Sequence, residues 1–161
     1  MVSNFDNLQV VANFGSWMTI SDQMAGGKST VSMRAVEGGA RGSRGALEVA
    51  GELVPGARFT WAGVLFHPGS SPEEAANLSS KRTLSFWAKG DGNSYSVAVE
   101  TEENAGQTPK MQPFVAGPEW KQYSFPLAAF DTDGHDVIGV GFVRGLQKGK
   151  FSFKIDELEI R

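Results

Sequence analysis

Apolar residues recur at every second position through most of this chain. Val31, Met33 and Ala35 share a face in 29–36, as do Leu47, Val49 and Gly51 in 45–53. In 82–90, Leu84, Phe86 and Ala88 alternate with Ser85, Trp87 and Lys89; in 94–101, Tyr95, Val97 and Val99 alternate with Ala98 and Glu100. Five more segments, 8–14, 58–68, 120–127, 137–143 and 151–160, bring the predicted strands to nine. A period of two places alternate side chains on opposite faces of a half-buried strand. Turn signals such as EGGARGSRG, HPGSSP, GDGN and DTDGHD fall between the segments. The helical signals are short: 71–78, with Ser71 as a cap and Pro72 after it, and one turn at 126–130. The pattern predicts an all-β fold, an antiparallel β-sandwich of jelly-roll type, with residues 1–161 forming one domain.

Composition narrows the function. The formal net charge is -3 and no Lys/Arg run appears, so nothing marks a nucleic-acid binder. No apolar segment is long enough to insert in a membrane. The N-terminal MVSNFDNLQVV lacks the features of a signal peptide; extracellular or periplasmic placement is expected only if a parent enzyme is exported. With no cysteine, disulfides, thiol nucleophiles and Cys-based zinc sites are excluded.

The loop AGGKST resembles the tail of a phosphate-binding loop. The full motif needs glycine at position 22, where Asp22 stands, and a helix afterwards, where a strand is predicted. A glycine-kinked structural corner is the better reading. No Gly-x-Ser-x-Gly elbow occurs, and most acids sit in turns, where Asx hydrogen bonds account for them. The expectation is therefore a binding domain with no catalytic residues of its own.

Aromatic residues carry that expectation. If Leu84, Phe86 and Ala88 face the core, Trp87 and Lys89 point outward, and by the same parity Ala98 and Glu100 point out beside them. An indole among polar side chains suits an oligo- or polysaccharide, whose apolar ring face stacks while its hydroxyls hydrogen-bond. Trp87 packed under a loop is the competing reading. Trp61, His67 and Arg34 are further candidates on strands whose faces are less defined. At the chain ends, Asp6 and Asp156 meet if the terminal strands pair. Together with carbonyls from 39–45 they would offer calcium a set of hard oxygen ligands, against the alternative of two surface acids.

Several segments resemble the complex I intermediate-associated protein family: WMTISDQMAGGKS (17–29), KGDGNSY (89–95), EWKQYSFPLAAF (119–130) and FSFKIDELEI (151–160). The loop departs from the family pattern, reading Asp-Gln-Met-Ala-Gly-Gly where the family more often has Gly after the Asp and Met directly before the glycines. The resemblance implies a galactose-binding-like jelly roll related to carbohydrate-binding modules, with the glycine loop a corner anchored by Trp17. It implies two roles: a sugar-binding accessory domain of a bacterial hydrolase, or a protein-interaction domain like the complex I assembly factor.

Overall fold

A computed structural model describes all residues 1–161. Ten strands form two five-stranded antiparallel sheets. They are β1 (Ser16–Ser21), β2 (Thr30–Glu37), β3 (Gly45–Leu53), β4 (Trp61–His67), β5 (Thr83–Gly90), β6 (Ser94–Thr101), β7 (Met111–Val115), β8 (Lys121–Pro126), β9 (Val137–Gly145) and β10 (Gly149–Ile160). One sheet has the order β1-β4-β9-β6-β7 and the other β2-β3-β10-β5-β8. Between them the inward residues of both sheets interlock as a jelly-roll core. Phe86 packs edge-to-face on Phe114 and Phe142, at 5.1 and 5.0 Å between ring centroids. Trp17 joins that core against Phe5, Phe66 and Phe142, and its Nε1 donates to Ser3 Oγ at 3.0 Å.

The parity read from 45–53, 82–90 and 94–101 holds: Leu47, Val49, Leu84, Phe86, Ala88, Tyr95, Val97 and Val99 are all buried. Four elements differ from expectation. Residues 8–14 form no strand, because the chain folds back on itself with Leu8 at φ 58° and Asn13 N donating to Val2 O. Residues 71–78 form no helix. The N–H groups of Ala76 and Leu78 donate to Val137 and Gly134 rather than along a helix. The two strands not anticipated, β1 and β7, are sheet edges, and an edge tolerates Pro113 because it lacks one ladder partner anyway. The helical turn at 126–130 is present as a 3-10 turn, Leu127–Phe130.

The glycine loop is a corner, and Asp22 is its hub. The carboxylate is fully buried and accepts three hydrogen bonds: Ser29 N at 3.0 Å, Ser29 Oγ at 2.7 Å and Trp61 N at 3.1 Å. Ser29 Oγ in turn accepts from Val54 N at 3.0 Å. One side chain thus ties the end of β1 to the starts of β2 and β4 and to the end of β3. Gly26 closes the turn at φ 82°, and a Cβ on Gly27 would stand 2.2 Å from Asp22 Oδ1. Burial raises the Asp22 pKa, but the hydrogen bonds from Ser29 and Trp61 outweigh it and leave the group lowered.

Candidate functional site

The outer faces of the two sheets differ in chemistry, and consecutive strands β5 and β6 lie in different sheets. That crossing separates the residues expected to form one site. Trp87, Lys89 and Arg34 stand on the β2-β3-β10-β5-β8 sheet; Glu100, Ala98, Trp61 and His67 stand on the other. The grouping of Trp87 with Ala98 and Glu100 is therefore corrected.

On the first face, strand register builds rows of neighbours. Arg34, Glu48, Lys154 and Lys89 lie side by side across β2, β3, β10 and β5. The next row runs from Asp156 to Trp87 to Gln122. Alternation along each strand turns its large core residues inward and leaves Arg34, Glu48, Lys154, Lys89 and Gln122 outward around the half-buried Trp87, with Val36, Ala46 and Ala50 on the same side. Arg34 Nε donates to Glu48 Oε1 at 2.8 Å. The loop 38–44 folds over part of the second row, burying Ala46 and Asp156. It carries Arg41, whose guanidinium carbon stands 5.7 Å from the Trp87 ring centroid. Trp87 thus stands at the margin of that loop with Lys89 and Gln122 around it. Glu48, Lys154, Gln122 and Arg41 were not anticipated, although the alternation in 45–53 and 151–160 already put the first two outward.

The opposite face is apolar. Its outward rows contain Met18, Leu65, Gly141, Ala98 and Met111, then Ile20, Gly63, Val143, Ser96 and Pro113. Trp61 lies at its rim opposite Gly145. His67 is buried, with Nδ1 3.0 Å from the carbonyl of Ile138 and Nε2 2.7 Å from Met18 Sδ, so it is held by the protein. Glu100 opposes Gly139, is half-buried and makes no hydrogen bond or ion pair with the protein. Burial raises its pKa, with nearby His67 opposing. A cleft of about 590 Å³ lies between Lys81–Thr83 and Pro126–Ala128, where β5 begins and β8 ends, and contains none of these residues.

The terminal acids do converge on the 39–45 loop, as expected, but the loop turns the wrong atoms toward them for calcium. Asp6 Oδ1 accepts from Ser43 Oγ at 2.5 Å and Gly45 N at 3.0 Å. Asp156 accepts from Ala40 N at 2.8 Å and Glu157 N at 2.7 Å. Calcium needs oxygen donors; here N–H and O–H groups occupy the carboxylates, and no cluster of three acids or imidazoles forms. The calcium expectation does not fit this geometry, and the acids themselves clamp the loop.

Asp156 makes the clamp pH-sensitive. Burial raises its pKa to about 6 from 3.8, against the pull of the Ala40 and Glu157 N–H groups. A raised carboxyl favours the folded state below pH 3.8, and that advantage is lost as pH rises through about 6. The stability difference between wild type and Asp156→Asn should therefore shift by about 2–3 kcal/mol in favour of wild type on going from pH 7 to 4. Denaturant melts at both pH values measure it; a constant difference would show that Asp156 titrates normally.

Comparison with known proteins places the fold. Residues 3–137 match the model of the family "Complex I intermediate-associated protein 30 (CIA30)", and the chain belongs to that family. No curated protein matches the sequence. Among solved structures, the chain is similar to the family 11 carbohydrate-binding module of the cellulosomal cellulase Lic26A-Cel5E of Clostridium thermocellum. Identity is 15%, coverage 99% of this chain and 95% of that one, and the TM-score 0.66. A family 11 module from the same organism, in complex with a β-1,3-1,4-mixed-linked tetrasaccharide, matches at 16% identity. It covers 89% of this chain and 87% of that one, with TM-score 0.64. An exo-β-agarase matches at 12% identity over 100% of this chain and 25% of that one, with TM-score 0.69. At such identity the likeness establishes a shared β-sandwich, one that carbohydrate-binding modules use.

Proposed function

We propose that this protein is a non-catalytic saccharide-binding module whose ligand lies across the outer face of the β2-β3-β10-β5-β8 sheet. The observation that carries this reading is Trp87, a half-buried indole among polar side chains that can bond hydroxyls, with Gln122 beside it and Lys89 in the next row. The carbohydrate-binding modules that share the fold support it, and a site of this shape suits an accessory domain working beside a hydrolase. A shallow, solvated surface binds weakly, with a Kd of about 1 mM to 1 μM. The test is calorimetric titration with soluble neutral and acidic oligosaccharides of several backbones. Saturable binding by at least one is expected, and silence across the panel would overturn the reading.

A second reading rests on the opposite face. Met18, Met111 and Val115 are exposed there beside Leu65 and Ile20, and adaptable methionines suit a protein partner. That surface would fit a protein-interaction role of the kind that the resemblance to the complex I assembly factor implies.

A further inference from the structure

We infer that the saccharide taken by the Trp87 face is an acidic one, bearing carboxylates; this rests on the saccharide reading above. The argument begins with the row Arg34, Glu48, Lys154, Lys89. Glu48 lies between Arg34 and Lys154, but its carboxylate is bonded to Arg34 at 2.8 Å. Lys154 and Lys89 then oppose each other directly on neighbouring strands, and neither makes an ion pair. Like charges in that position destabilise a sheet. Asp156, in the adjoining row, is buried and its oxygens are occupied by Ala40 and Glu157 N–H groups. A third cation is brought close by a strained backbone: Arg41 adopts φ 54°, where L side chains rarely sit, and its guanidinium stands over Trp87. Backbone strain and like-charge opposition thus coincide around one indole.

An anion on this surface relieves the repulsion, and the indole beside it selects a ligand that also has an apolar ring face. Polyuronates combine both features. A nucleic acid is disfavoured, because the chain carries a net charge of -3 and these cations form a cluster rather than a track along a phosphate backbone.

The experiment uses galacturonate and mannuronate hexamers, the same hexamers as methyl esters, and a neutral mixed-linked glucan oligomer. Each is titrated into wild type, Lys89→Gln and Lys154→Gln at low and high salt. The acid forms should bind roughly tenfold more tightly than the esters at low salt, and the advantage should shrink at high salt. Each Lys→Gln change should weaken acid binding roughly three- to fivefold without lowering the melting temperature, since it removes repulsion. Equal binding of acid and ester, or lysine variants that bind the acid as wild type does, overturns the charge inference while leaving the saccharide reading intact. Binding of the neutral glucan alone does the same. Absence of binding by every oligomer overturns both.

Discussion

Asp22→Asn is expected to cost about 3 kcal/mol, lowering the melting temperature by roughly 6–12 °C for a domain of this size. The carboxylate is fully buried and receives hydrogens from three donors through two oxygens. An amide keeps one oxygen and turns an N–H₂ group toward Ser29 N or toward Trp61 N and Ser29 Oγ. Either choice leaves at least one buried donor facing another. Gly27 lies too close for the side chain to swing away, since a Cβ there would stand 2.2 Å from Oδ1. Lys28→Gln, in the same loop but exposed, should stay within about 0.5 kcal/mol of wild type. That contrast separates a structural corner from a ligand-binding loop, in which the lysine would matter more than the aspartate. Thermal melts decide it: an Asp22→Asn midpoint within a degree of wild type would remove Asp22 as the hub. The pKa of Asp22 is lowered in the fold, so its contribution is present above about pH 3.8 and fades as pH falls below it.

What the sequence reveals here is parity, and what it conceals is partnership. Alternation in 45–53, 82–90 and 94–101 identifies the buried residues correctly, because each strand has one face on the core. Alternation does not say which strands are neighbours. The short turn around Gly92 makes β5 and β6 look like a hairpin, yet they cross the sandwich into different sheets, so Trp87 and Glu100 end on opposite faces. β1 escapes notice because its outward Met18 and Ile20 are as apolar as its inward Trp17, leaving no alternation to detect. The 39–45 loop fails differently. Pairing of the chain ends would bring Asp6 and Asp156 to it, and they do meet it, but whether a glycine-rich loop presents N–H or C=O groups depends on backbone dihedrals that residue identities leave open.

Trp87→Ala should abolish measurable saccharide binding, a loss of at least about 2 kcal/mol or thirtyfold, as for a central aromatic anchor. Its cost to stability should be near 1 kcal/mol, because the indole is half-buried and the side chain that stands over its ring, Arg41, is exposed. The neighbouring residue supplies the internal control. Phe86 is fully buried and packs on Phe114, Tyr123 and Phe142, so Phe86→Ala should cost about 3–5 kcal/mol. In the proposed reading, adjacent positions on one strand divide the work, the inward ring holding the sheets together and the outward ring meeting the saccharide. Calorimetric binding and thermal melts on both variants measure the division. If Trp87→Ala melts as low as Phe86→Ala, the indole is a prop beneath the 38–44 loop. The working surface then shifts to the methionine-lined face, where Met18 and Met111 flank Leu65 and Ala98.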